Sequence, residues 1–142
     1  MDFNRSLASF RPQLDATLNL LKLALNSSCG GSVRIMFSSS IAVVGRSPVA
    51  AGHRYVKEVP LENAAAIDRF GYAEAKWICE RMLQAACQVY GDKIVATSVR
   101  IGQLTGGEIN GAWNVAEHLP IIIKSCLAMG KFPELEGVSR PY

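Results

Sequence analysis

Two side chains suited to proton transfer, Tyr72 and Lys76, stand at positions i and i+4 of a segment that the sequence predicts to be helical. That spacing places both side chains on one face of the helix, about one turn apart. A tyrosine can donate a proton, and an ammonium beside it stabilises the phenolate and so makes the donation easier. The pair is therefore suited to general acid catalysis near neutral pH.

Three consecutive hydroxyl groups, Ser38, Ser39 and Ser40, follow the apolar stretch Val33–Phe37, which we predict to be a buried parallel strand. In open α/β sheets ligands bind beyond the carboxyl ends of the strands. Serines in such a place are ordinarily turn residues, because their side chains bond to the local backbone. The downstream Tyr-x-x-x-Lys pattern is what makes them candidates for a site.

The remaining pattern predicts alternating helices and strands. Helical structure is expected over about 6–26, with Pro12 in the first turn of the longer helix and a separate short turn as the alternative for the residues before it. A long connection runs from Gly45 to about Arg69. The other predicted elements are a helix from near Phe70 to Val89, a strand over Lys93–Arg100, a glycine-bearing loop over Ile101–Asn114, and a last helix over about Val115–Met129 that Pro120 interrupts early.

Composition sets the broad class. A chain of 142 residues that is 49% hydrophobic and 19% charged suits one packed domain. The net charge of +3 comes without a dense Lys/Arg block, so we expect no nucleic-acid partner. No apolar run approaches the roughly 18 residues of a membrane span, and the first residues do not read as a signal peptide, so we expect a cytoplasmic protein that does not bind membranes. The four cysteines lack metal-ligand spacing; no metal is expected, and Cys79 and Cys87 are interpreted as small core residues.

In order along the chain, several motifs together resemble one family. They are Phe3-Asn4-Arg5-Ser6-Leu7-Ala8-Ser9-Phe10, Phe37-Ser38-Ser39-Ser40-Ile41, Gly71-Tyr72-Ala73-Glu74-Ala75-Lys76, Val99-Arg100-Ile101-Gly102-Gln103-Leu104-Thr105-Gly106, Gly111-Ala112-Trp113-Asn114 and Leu119-Pro120-Ile121-Ile122-Ile123-Lys124-Ser125. The set resembles the terminal thioester reductase domain of fungal non-ribosomal-peptide-synthetase-like proteins and carboxylic acid reductases, in the extended short-chain dehydrogenase/reductase superfamily. The fold expected is α/β: the C-terminal half of a doubly wound, Rossmann-like parallel sheet with flanking helices.

The resemblance implies hydride transfer from NADPH to a carrier-protein-bound acyl thioester. It implies that Ser40 bonds the substrate carbonyl, with Ser39 as the alternative, and that Tyr72 protonates the developing oxyanion. It implies that Lys76 binds the nicotinamide ribose and assists Tyr72, with Ile101 beside the nicotinamide. Trp113 is expected either to line the substrate side or to be a core residue.

The chain departs from the family by having no Gly-x-Gly-x-x-Gly loop for the pyrophosphate. We therefore expect a single partial reductase domain, over residues 1–142, in which the strand from Val33 leaves an unpaired apolar edge. Three readings stay open: a subunit that needs another chain to supply the missing half, a non-catalytic remnant or interaction subunit, and another extended short-chain enzyme of the sugar epimerase or dehydratase type.

Overall fold

A computed structural model describes residues 5–28, 30–47 and 55–133 of the protein. The chain divides into two compact units, Met1–Gly102 and Gln103–Tyr142. The helices and strands are α1 (Arg11–Leu25), β1 (Val33–Ser40), α2 (Gly71–Val89), β2 (Ile94–Ile101) and α3 (His118–Met129). Short 3-10 turns cover Leu7–Phe10, Ile41–Val43 and Ala64–Ala66.

The first helical region confirms the predicted break near Pro12. A 3-10 turn over Leu7–Phe10 leads directly into α1, and Pro12 lies in the first turn of α1. Proline is tolerated there because the first backbone N–H groups of a helix have no intrahelical partner. Phe3, Asn4 and Cys29, which the sequence analysis named, lie outside the described residues.

The two strands of the first unit are parallel neighbours, in register from Val33 opposite Ile94 to Ser40 opposite Ile101. Helix α2 forms the crossover between them, as parallel strands require. Strand β1 continues three residues past its predicted end, because Ser38, Ser39 and Ser40 all pair with β2. The predicted α/β, Rossmann-like architecture is confirmed.

Helices α1 and α2 pack on one face of this sheet. Leu21 and Ala24 of α1 meet Leu83 and Ala86 of α2 over the fully buried Ile94. The β1 residues that project into this core are Val33, Ile35 and Phe37. Alternate residues point to the opposite face, where Met36 is 79% exposed. Each β1 residue therefore belongs either to the packed face or to the open one.

Cys79 and Cys87 pack in the interior of the first unit, as predicted: Cys79 is buried, and the partly buried Cys87 lies against the core. Cys79 is buried and lies 3.3 Å from the Thr17 hydroxyl of α1, and Cys87 accepts a hydrogen bond from the backbone N–H of Ala96 at 3.1 Å. Both contacts tie α2 to neighbouring elements.

The second unit contains the glycine-bearing loop and α3. The Gly107 N–H donates to the Ala112 carbonyl at 2.9 Å and closes the loop, and the Trp113 indole N–H donates to Glu117 at 3.3 Å. The prediction for the last helix was wrong at its start: α3 begins at His118, so Pro120 lies in its first turn and does not interrupt it.

Candidate active site at the carboxyl ends of the strands

The candidate site begins where the two strands end together. Ser40 is the last residue of β1 and pairs in register with Ile101, the last residue of β2. Parallel strands bring their carboxyl ends to one sheet edge, and that edge is where ligands of open α/β sheets bind. Two of the residues predicted from sequence are thus direct neighbours.

Ser39 and Ser40 point to opposite faces of the sheet and do different work. The Ser39 side chain is buried, and its hydroxyl donates to the Glu80 carboxylate at 2.5 Å. The Ser40 hydroxyl accepts from the Ala42 N–H at 3.2 Å and caps the turn Ile41–Val43. Because that bond uses the Ser40 oxygen as an acceptor, its O–H proton is left to donate to another group.

Backbone hydrogen bonds bring the start of α2 to this strand end. The Asp68 N–H donates to the Ala42 carbonyl at 3.0 Å, and the Arg46 N–H donates to the Ala66 carbonyl at 2.9 Å. The chain just before α2 therefore lies against the turn that follows Ser40. This contact carries Tyr72, the second residue of α2, toward the site.

Lys76 is anchored to the strand that carries the serines. Its ammonium donates to the Ser38 carbonyl at 2.6 Å and lies 4.9 Å from the centre of the Phe37 ring. The same nitrogen lies 5.6 Å from the centre of the Tyr72 ring. Burial lowers the pKa of Lys76, because removal of water disfavours the charged form, and the nearby Cys79 opposes this effect.

The Tyr72 ring is held between aromatic neighbours. It stacks on Phe70 with the ring centres 6.3 Å apart, and it meets Phe10 edge to face at 6.1 Å. Aromatic pairs in these geometries add to the free energy of simple burial. The tyrosine is therefore oriented by contacts with the residues before α1 and before α2.

One group of functional interest was missed by the sequence analysis. Glu80 and Arg100 form an ion pair with a distance of 2.7 Å between the Arg100 Nη2 and Glu80 Oε2 atoms, and their side chains are only 7% and 17% exposed. The sequence does contain one indication that Glu80 lies near the site: it stands one helical turn beyond Lys76, in the same i, i+4 series as Tyr72.

The described residues contain no cluster of three or more His, Cys, Asp or Glu side chains that could hold a metal ion. A cleft of about 320 Å³ lies on another side of α2 and is lined by residues that include Arg46, Asp68, Glu74 and Trp77. Ser40, Tyr72 and Lys76 are not part of its lining.

Within the described part of the chain, no helix is both long enough and apolar enough to span a bilayer.

Comparison with known proteins gives the family. The profile of the NAD dependent epimerase/dehydratase family matches residues 2–139. The chain belongs to this family, which implies a nicotinamide cofactor.

Within this family, the chain is similar to parts of fungal reductases and of an aldehyde synthase. The chain is 40% identical over 139 residues to an adenylate-forming reductase of Aspergillus terreus (strain NIH 2624 / FGSC A1156), covering 96% of this chain and 13% of that protein. It is 40% identical over 140 residues to a 3-methylorcinaldehyde synthase of Sarocladium schorii, covering 90% of this chain and 5% of that protein. The chain thus spans a small part of the large multidomain proteins that it resembles.

A solved structure of a terminal R domain has a similar fold. The terminal R domain from the myxalamid PKS-NRPS biosynthetic pathway superposes with a TM-score of 0.77 at 24% identity. The alignment covers 96% of this chain and 32% of that domain's chain. The resemblance to terminal reductase domains that the sequence motifs indicate is confirmed, and the fold is that of an R domain.

The Lys76 ammonium, which α2 holds against the end of β1, is a donor that fits a ribose of such a cofactor. A lysine ammonium has three N–H donors, and the Ser38 carbonyl takes one from Lys76. The others suit the paired hydroxyls of a ribose. The sequence contains no Gly-x-Gly-x-x-Gly motif, the pattern that binds the pyrophosphate in many dinucleotide-binding folds.

Proposed function

We propose that this chain is the catalytic part of an NADPH-dependent reductase domain that converts a carrier-bound acyl thioester to an aldehyde and the free carrier thiol. The observation that carries the proposal is the bond between the Lys76 ammonium and the Ser38 carbonyl. It joins the Tyr-x-x-x-Lys helix to the strand whose last residue is Ser40. The relatives named as reductases and as an aldehyde synthase support this reaction over others of the family.

In this proposal each side chain has a separate task. When bound, NADPH supplies the hydride. Ser40 donates a hydrogen bond to the thioester carbonyl oxygen. As the carbonyl carbon gains the hydride, Tyr72 protonates that oxygen, and a thiohemiacetal results. The C–S bond of the thiohemiacetal then breaks, its O–H proton passes to the leaving sulfur, and the aldehyde and the carrier thiol are released. Lys76 holds the ribose hydroxyls and stabilises the phenolate left on Tyr72. Fixed donors of this kind stabilise a transition state more than a ground state, because the charge appears only as the reaction proceeds.

The geometry favours Ser40 over Ser39 as the carbonyl donor. The Ser39 side chain is buried, and its hydroxyl already donates a hydrogen bond to the Glu80 carboxylate. The Ser40 hydroxyl lies on the other side of the strand and uses only its acceptor capacity in the turn. Ile101, the register partner of Ser40, is proposed to lie beside the nicotinamide.

Three parts of the proposal come from family likeness. They are the choice of NADPH over NADH, the carrier protein as the partner that presents the thioester, and the aldehyde as the product. The cytoplasmic location expected from the sequence stays a prediction. We also propose that residues 1–142 form a single partial reductase domain and that another chain supplies the pyrophosphate-binding half.

The test is a chimera. This chain replaces the matching 139 residues of the A. terreus relative, whose other domains then supply the cofactor loop. NADPH consumption and aldehyde release are measured with octanoyl and benzoyl thioesters of N-acetylcysteamine. The unmodified relative is the positive control.

Tyr72→Phe in the chimera removes one hydroxyl and should lower kcat by about 10²–10⁴-fold, the usual contribution of a general acid. Tyr90→Phe makes the same chemical change just beyond the far end of α2, where Tyr90 is 41% exposed, and should leave kcat unchanged. An active chimera that tolerates Tyr72→Phe would remove Tyr72 from its assigned role. A folded chimera without reductase activity would refute the proposed function.

Two alternatives each have one observation in their favour. The matched family includes epimerases and dehydratases, so turnover of a nucleotide sugar in place of a thioester would favour that chemistry. An interaction subunit is favoured by the apolar side chains on the open sheet face, where Met36, Val95 and Val99 are 79%, 46% and 40% exposed. A chain that folds but supports neither reaction in the chimera would favour the interaction subunit.

A further inference from the structure

A buried ion pair between Glu80 of α2 and Arg100 of β2 lies next to the candidate site, in contact with Ser39 near the end of β1. The Glu80 Oε2 atom accepts from Arg100 Nη2 at 2.7 Å, and Glu80 Oε1 accepts from Arg100 Nε at 3.1 Å. This two-bond fork is the strongest geometry for an arginine and a carboxylate. Both side chains are mostly buried, so removing one alone would leave an uncompensated charge in the core.

The pair is linked to each element that forms the site. Glu80 Oε1 also accepts from the Ser39 hydroxyl at 2.5 Å, which attaches α2 to the end of β1. Ser39 and Arg100 are register partners, so the cluster also spans β1 and β2. The Arg100 Nη1 atom donates to the Val59 carbonyl at 3.2 Å, in the long connection before α2.

Lys76 and Glu80 stand one turn apart on α2, a spacing at which opposite charges usually pair. In the described part of the chain they form no ion pair: Glu80 is occupied by Arg100 and Ser39, and the Lys76 ammonium donates to the Ser38 carbonyl. Both Glu80 oxygens thus accept from Arg100 or Ser39, and neither accepts from Lys76. Consecutive β1 residues serve the two contacts, since Ser38 receives Lys76 and Ser39 binds Glu80.

We propose that Glu80, with Arg100 and Ser39, is a positioning group that fixes the carboxyl end of β1 against α2 and so holds Lys76 beside Tyr72. Its catalytic meaning rests on the proposed function, whereas its effect on Lys76 does not. Loss of the cluster should release Lys76 toward solvent even in a chain that stays folded.

The first experiment measures Lys76 in the full chain without any catalytic assay. The chain is labelled with ¹³C-lysine, the Lys76 signal is assigned with Lys76→Arg, and the ammonium is titrated by NMR. The titratable groups near Lys76 on its own helix are Tyr72, Cys79 and Glu80, with Arg100 facing Glu80 from β2. Strand β1 faces Lys76 with a carbonyl and the Phe37 ring.

The main variant is Glu80→Met with Arg100→Met. It removes one negative and one positive charge together, so the net charge near Lys76 is unchanged. Apolar replacement of a buried ion pair is often tolerated by the fold. Ser39→Ala, which removes no charge, is titrated beside it, so an upward shift of the Lys76 titration seen in both variants reports a change in the position of Lys76.

The matched control is Glu62→Met with Arg81→Met, the same two changes at an exposed pair whose atoms lie 4.0 Å apart. We expect the Lys76 titration to move up toward the ordinary lysine value of ~10.4 in the main variant and to stay in place in the control. An unchanged Lys76 titration in the folded main variant would overturn the proposal. If that variant does not fold, Ser39→Ala, which keeps the ion pair, decides by the same criterion.

Measuring kcat and KM in the chimera tests the positioning group independently of the NMR titration. Ser39→Ala should lower kcat about tenfold, which corresponds to about 1.4 kcal/mol, with the thioester KM unchanged. A purely structural role would lower the amount of folded enzyme and leave kcat per folded molecule as it was, and that result would count against the proposal. If the unmodified chimera is inactive, the proposed function fails, and the NMR titration still decides on the positioning group.

Discussion

Gly71→Ala should destabilise the protein even though alanine favours helix over glycine. Gly71 is the first residue of α2, and a Cβ added there would lie 2.4 Å from the Leu7 nitrogen and 2.4 Å from the Ser6 carbonyl carbon. These are backbone atoms, which cannot rotate away as a side chain can. Ordinary contacts with a Cβ begin near 3.4 Å, so the segment before α1 would have to move by about 1 Å.

The expected cost follows from two opposing terms. Overpacking of a tight site usually costs about 1–3 kcal/mol. The gain in helix propensity from glycine to alanine is at most about 1 kcal/mol. With central values of about 2 kcal/mol for the overpacking and about 0.5 kcal/mol for the helix gain, the net loss should be about 1.5 kcal/mol, which for a chain of this size lowers Tm by about 3–8 °C.

The assay is thermal and urea unfolding followed by circular dichroism. Gly31→Ala is the matched control, because a Cβ at Gly31 meets nothing within 4 Å, and it should stay within about 0.5 kcal/mol of the parent. Equal stability of the two variants would refute the argument that close backbone approach explains the glycine before Tyr72. The Gly71 change should also disturb Tyr72, because the moving segment leads to Phe10, whose ring contacts it.

Two further predictions concern stability. Ile94→Ala, at a fully buried position in the core, should cost about 2–5 kcal/mol in urea unfolding, whereas Ile109→Ala, at a fully exposed position, should be neutral; equal costs would show that the core is assigned wrongly. Burial raises the pKa of Asp68 above 3.8, against the opposing effect of Arg46. The folded state therefore holds its proton to higher pH than the unfolded state, so stability should fall as pH rises from 3.8 through the raised pKa. Asp68→Asn should remove that part of the pH dependence, and unfolding curves of identical pH dependence would contradict the assignment.

Much of the fold could be predicted because its signals are local. The i, i+4 spacing of Tyr72 and Lys76, the β-branched run before Arg100 and the glycine-rich stretches each depend on neighbours in sequence. The extra length of β1 could not be read in this way. Serines favour turns on their own, and only pairing with β2 keeps Ser38, Ser39 and Ser40 in a strand. The start of α3 was also misjudged, because proline suits a first turn as well as it breaks an interior.

By itself the sequence determined the candidate chemistry: a hydroxyl at a strand end, a tyrosine and a lysine one turn apart, and the order of elements that resembles a reductase domain. The tertiary structure decided which groups meet. It paired Ser40 with Ile101, gave Ser39 to Glu80, and set the Lys76 ammonium on the Ser38 carbonyl. The physical reason is that these contacts join residues tens of positions apart, and no local pattern encodes which face of a strand a distant helix will cover. The ion pair of Glu80 with Arg100 is the clearest case, since each residue alone looks like a surface charge until packing buries them together.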